Sequence, residues 1–119
     1  TVFLKAIASD PVSSITYNNL GAAYLRLKEY VKAEEAFSKA LAIDPGFIKA
    51  AYNLSVSLYR QKKYYAAYKA YQKAKKIDAA YVKKRFNESH AREELQEELK
   101  KDPNNESLQT MVKGADGEK

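Results

Sequence analysis

The chain repeats itself every 34 residues. When Ser14 to Phe47 is set against Ile48 to Tyr81, eleven positions are identical: Asn19 with Asn53, Leu20 with Leu54, Arg26 with Arg60, Lys28 with Lys62, Tyr30 with Tyr64, Ala33 with Ala67, Ala36 with Ala70, Lys39 with Lys73, Ala40 with Ala74, Ile43 with Ile77 and Asp44 with Asp78. Phe37 against Tyr71 and Phe47 against Tyr81 are conservative. A third copy begins at Val82, where Val82, Lys83, Phe86, Asn87 and Ser89 follow Ile48, Lys49, Tyr52, Asn53 and Ser55, and then fades. A period of this length marks a stacked array, in which each unit buries its apolar face against its neighbours.

Within the unit, Tyr17, Leu20, Gly21 and Tyr24 fall at spacings of three and four, one stripe of a helix that must face a partner. Gly21, Ala33 and Ala40 are small where two backbones approach, and Tyr24 and Phe37 are large where space must be filled. Asp44-Pro45-Gly46 ends the second helix, because Pro45 biases the residue before it away from helix and Gly46 tolerates the turn. Residues 28 to 30 make the tighter turn inside the unit. With three Pro and four Gly in 119 residues, long helices rather than many short turns are expected.

These residues resemble the tetratricopeptide repeat family, a helix-turn-helix unit of 34 residues. Tyr17, Leu20, Gly21 and Tyr24 fill the signature of the first helix, with Tyr where Trp is commoner, and Ala33, Phe37, Ala40 and Pro45 fill that of the second. In the second copy Leu54, Ala67, Tyr71 and Ala74 hold, while Ser55 replaces the Gly, Leu58 the Tyr and Ala79 the Pro. The resemblance implies an all-α solenoid with full units at 14–47 and 48–81. Phe3, Ala6, Asp10 and Pro11 match Phe37, Ala40, Asp44 and Pro45, so residues 1–11 read as the second helix of a preceding partial repeat. Residues 82–101 read as a degenerate third unit, a single solvated capping helix, because Arg85, Glu88, Ser89 and Arg92 stand at the core positions. Residues 102–119 read as a short helix through Leu108, Met111 and Val112 that docks weakly, then a disordered tail.

Charge is unevenly placed. The net +6 divides into five basic and five acidic groups in residues 1–47, eleven basic against Asp78 in 48–85, and five basic against nine acidic in 86–119. The basic middle attracts acidic partners. Without Cys there is no disulfide and no thiolate site, and His90 has no second His, so neither a metal site nor any cofactor is expected. The carboxylates Glu93, Glu94, Glu97 and Glu98 read as a solvated face, and no Gly-rich phosphate loop occurs. The chain is expected not to be an enzyme. No apolar run approaches the roughly 18 residues of a membrane span, and the lack of Cys and of a signal segment in this fragment favours the cytoplasm.

Opposite the core stripe, the first helix of each unit presents a second one: Ile15, Asn19, Ala22 and Arg26; then Lys49, Asn53, Val56 and Arg60; then Lys83, Asn87, His90 and Glu94. Packing inside the unit does not explain these residues. In the family this face lines a concave groove that holds extended peptides, and the resemblance implies the same here. Asn19, Asn53 and Asn87 form a ladder whose carboxamides donate and accept, suited to a peptide backbone. Arg26, Lys49, Arg60 and Lys83 favour acidic side chains or a C-terminal carboxylate, and Tyr52, with Tyr59 and Phe86, offers aromatic surface. The dicarboxylate clamp of one family subtype is incomplete in every register: Asn53 and Lys83 match in one and Asn19 and Lys49 in another.

The expected function is a protein-interaction scaffold that binds an acidic or C-terminal peptide segment. The alternatives are polyanion or nucleic-acid binding through Lys62, Lys63, Lys69, Lys73, Lys75 and Lys76, and self-association through the terminal helices. Phe3, Leu4 and Ile7 would make a homo-oligomer contact, and the acidic Glu93–Glu98 segment would dock on a basic middle, its own or another molecule's.

Overall fold

The computed structural model describes residues 14–88 and 91–115, the side chains of 87, 88, 91, 92, 114 and 115 excepted. The homo-oligomer contact expected of Phe3, Leu4 and Ile7, the half unit at 1–11 and His90 lie outside the described residues. Among the described residues every regular element is a helix: α1 (Ser14–Arg26), α2 (Tyr30–Ile43), α3 (Ile48–Arg60), α4 (Tyr64–Ile77), α5 (Ala79–Glu88), α6 (Ala91–Lys101) and α7 (Glu106–Ala115). The fold is all-α, as the sequence predicts.

The first two pairs, α1 with α2 and α3 with α4, close through the same turn. At its end the N–H of Lys28 reaches the carbonyl of Leu25 and that of Glu29 the carbonyl of Tyr24. In the second unit Lys62 reaches Tyr59 and Lys63 reaches Leu58. This bonding satisfies the last carbonyls of α1 and α3 and demands a left-handed residue just past the helix. Lys28 and Lys62 supply it with φ of 61° and 64°.

Gly21 is required by close approach. A Cβ there would lie 2.6 Å from a ring carbon of Phe37, a side chain with no exposed surface at the centre of the first unit. In the second unit Ser55 takes this position, and its hydroxyl turns back to donate to the Tyr52 carbonyl at 2.6 Å. The ring of Tyr71, the counterpart of Phe37, meets Phe86 edge-on with centroids 5.7 Å apart. Leu41 and Leu54 pack against the apolar clusters of both units and make the core continuous.

The exit turns differ for a local reason. After α2, Asp44 accepts from the N–H of Gly46 and Pro45 holds the chain out of helix until Ile48. After α4, Ala79 and Ala80 replace Pro45 and Gly46, and the Asp78 carboxylate instead accepts from the N–H of Tyr81 at 3.0 Å, an N-cap that starts α5 at once.

The C-terminal part is packed more firmly than the sequence suggests. The stretch is helical over Ala79–Glu88 and Ala91–Lys101, as expected of a cap, and α7 is embedded rather than weakly docked: Leu108 is 0% exposed and Met111 3%. Leu95 and Leu99, one turn apart on α6, supply the apolar face that Arg85, Glu88, Ser89 and Arg92 do not, and Leu108, Met111 and Val112 cover it. Asn105 caps α7 by accepting from the N–H of Leu108 at 3.0 Å.

Candidate functional site

The stripe opposite the core is carried on α1, α3 and α5. Asn19 and Arg26 on α1, Lys49 on α3 and Lys83 on α5 are exposed, and Asn53 is half-buried. Among the described residues Arg26, Lys49 and Lys83 have no acidic partner. Asn87 lies on α5, but its side chain is outside the described residues. Tyr52 corrects the sequence expectation: it is 8% exposed, packed edge-on against Tyr81 at 6.2 Å, and ties α3 to α5 instead of offering its ring to a ligand. Phe86 is likewise buried. Their positions next to the stripe, at spacings that also reach the adjoining helix, are where a groove aromatic and a core aromatic look alike in sequence.

Arg60 is engaged. Its Nη1 donates to Glu94 Oε2 at 2.8 Å, and the two residues hold the same stripe position in successive units. The carboxylate keeps the guanidinium above its ordinary pKa. One turn on, the Tyr64 hydroxyl donates to Glu98 Oε1 at 2.8 Å. Burial first, and then this hydrogen bond, push the Tyr64 phenol up to about 12, and the same bond holds the Glu98 carboxyl below its usual range, with Lys101 helping. Tyr59 is raised above the ordinary tyrosine range by burial, with Glu94 adding to it. Tyr59, Arg60 and Tyr64 on one side and Glu93, Glu94, Glu97 and Glu98 on the other enclose an open cavity of about 400 Å3. The acidic segment of α6 thus folds onto the basic middle of its own chain.

Residues 14–47 match the family described as tetratricopeptide repeat. The first tetratricopeptide-repeat domain of human RPAP3, solved by NMR, is similar over 90% of this chain and 92% of that one, at 18% identity and a TM-score of 0.56. The fold is that of tetratricopeptide repeats. The first such domain of Spaghetti (RPAP3), bound to the HSP90 peptide SRMEEVD, aligns equally well, at 18% identity, a TM-score of 0.56 and 90% and 93% coverage of the two chains. No curated protein sequence matches the chain.

Seen as tetratricopeptide units, the two repeats are stitched at the turn edge. Gln61 and Lys63, in the turn of the second unit, reach Glu34 on α2, at 2.8 Å and 3.5 Å. Sequence reasoning offered the Glu93–Glu98 segment to a basic middle, its own or another molecule's, but named no partner for Glu94 or Glu98, and it missed Glu34. The only signal was their separation of 27 to 34 residues from Gln61, Arg60 and Tyr64, which places them on neighbouring units. Among the described residues no group of His, Cys, Asp and Glu could hold a metal ion, and no helix is long and apolar enough to cross a membrane.

Proposed function

We propose that this chain is a protein-interaction scaffold that binds an acidic peptide segment along the face of α1, α3 and α5. The observation that carries the reading is the exposure of Arg26, Lys49 and Lys83 without acidic partners among the described residues, next to Asn19 and Asn53. Buried packing gives these side chains nothing to do, and a peptide carboxylate would give the cations charge-assisted hydrogen bonds. A structural neighbour of this fold binds a peptide with an acidic end, which supports the choice of ligand. Asn53 would pair with the peptide backbone. The clamp residues of the chaperone-tail subtype are incomplete here, so the proposal names the chemistry of the ligand and not that particular tail.

A fluorescein-labelled peptide of the sequence SRMEEVD, titrated with the full chain, tests it by anisotropy. Hydrogen bonds to charged groups contribute about 1.5–3 kcal/mol and neutral ones about 0.5–1.5 kcal/mol, so Lys49→Ala and Arg60→Ala should each weaken binding roughly tenfold or more and Asn53→Ala roughly twofold to tenfold. Unchanged affinity in Asn53→Ala and Arg60→Ala rejects the reading. Tight binding of duplex DNA that falls steeply and uniformly with salt would favour a polyanion partner instead.

A further inference from the structure

We propose that the side of the molecule between α2 and α4 carries a second docking surface, a lysine-rimmed apolar trough that takes one acidic amphipathic helix. Two adjoining open cavities of about 260 Å3 and 440 Å3 share Leu41, Ala51 and Lys73. Leu41 of α2, Leu54 of α3, and Ala66 and Ala70 of α4 line the first of them. None of these residues belongs to the stripe of Asn19, Asn53 and Arg60, so the surface is separate from the peptide face argued above.

Lys69, Lys73 and Lys76 stand along the trough at intervals of four and three, one face of α4 over about 10 Å. Lys69 lies 5.3 Å from the ring of Tyr65 on its own helix, and none of the three has an acidic partner among the described residues. Three like charges beside an apolar depression, without counter-charges, are complementary to carboxylates flanking apolar side chains.

The trough is a property of the second unit and not of the repeat. Thirty-four residues earlier, Tyr17, Tyr24 and Lys32 stand where Ala51, Leu58 and Ala66 are, and the Tyr17 ring is covered by Lys39 at 5.7 Å. Glu35 and Ala42 stand where Lys69 and Lys76 are. The second copy has therefore lost bulk and gained positive charge at the same place. Two helices flanking an apolar floor accept a third helix as a ridge in a groove, and carboxylates spaced by three and four residues on that helix run alongside the lysines.

The probe is a labelled synthetic helix of about four turns, with Leu at positions i, i+3 and i+7 and Glu flanking them, beside a scrambled peptide of the same composition. With the full chain, the amphipathic probe should bind saturably and at least tenfold tighter than the scrambled one. Lys69→Glu combined with Lys73→Glu should weaken binding at least tenfold, and Ala66→Leu, which fills the trough, should weaken it severalfold. Circular dichroism confirms that the variants remain helical, and Arg60→Ala should leave this affinity unchanged. Equal binding of both peptides, or unchanged affinity in the double lysine variant, overturns the proposal. So does capture of phosphatidylserine vesicles through these lysines with no binding of the helix probe.

Discussion

Arg60 and Glu94, the same position in successive units, meet at 2.8 Å across what would otherwise be a row of free cations. Arg26 in the first unit has no such partner among the described residues, so the change from Arg to Glu at the third position is what closes the row. The pair is half-exposed, with side chains 38% and 41% accessible, and pairs of this kind contribute only about 0.2–1 kcal/mol. A ligand carboxylate can displace Glu94 at that cost. Glu94→Gln should therefore raise affinity for an acidic peptide about twofold to fivefold while the thermal midpoint moves by no more than a few degrees. If Glu94→Gln binds as the parent does while Arg60→Ala binds more weakly, the peptide meets Arg60 without competing with α6.

Gly21 against Phe37 sets the tightest packing in the first unit. A methyl group would stand 2.6 to 2.8 Å from three ring carbons, and the ring is enclosed on every side. Gly21→Ala should cost about 1–3 kcal/mol, the range for overpacking a closed core, even though Ala is the better helix former by about 1 kcal/mol. Urea midpoints measure it. Combining Gly21→Ala with Phe37→Leu should recover part of the loss, and a stabilised single variant would show that α1 can move away from α2 freely.

Most of the fold was legible because the period, the small residues at helix contacts and the Asp-Pro-Gly exit turn all point to one packing arrangement. The small size required at Gly21 could be read from its stripe, and the matching turns at Lys28 and Lys62 from alignment of the chain with itself. Illegibility began where the repeat stopped repeating. In the third unit Arg85, Glu88, Ser89 and Arg92 stand at the compared core positions and apolar residues resume only beyond them, at Leu95 and Leu99, so a comparison at fixed offset sees only the loss. Tyr52 and Phe86 were misread for another reason: a residue flanking the groove stripe on one helix is also within reach of the next helix, and only the placement of α5 decides which.

Lys28 and Lys62 hold left-handed backbone at the ends of α1 and α3. An L-residue there costs about 1 kcal/mol that glycine avoids, partly offset by glycine's greater freedom in the unfolded chain. Lys62→Gly should raise stability by about 0.5–1 kcal/mol, read as a higher urea midpoint at unchanged slope. Lys62→Val, with its branched β-carbon, should lower it. A loss of stability in Lys62→Gly would mean that the lysine side chain itself, and not the turn, holds the position.

Tyr64 and Glu98 make stability depend on pH at both ends of the scale. The Tyr64 phenol is raised from 10 to about 12, so its contribution is complete below about pH 10 and is lost as pH rises through about 12. The Glu98 carboxyl is lowered from 4.5, so its contribution is present above that value and is lost as pH falls through its folded pKa. Tyr64→Phe removes the Tyr64 titration altogether and, with the donor, the largest cause of the Glu98 shift. The variant should therefore lose less stability than the parent between about pH 10 and about pH 12, and less as pH falls below 4.5, while being less stable than the parent near neutrality. Tyr59, raised first by burial and then by Glu94, keeps both of these causes in the variant and loses only the smaller one from Tyr64. Urea midpoints of the two chains at these pH values decide the matter, and parallel curves would show that the hydrogen bond from Tyr64 to Glu98 does not form in solution.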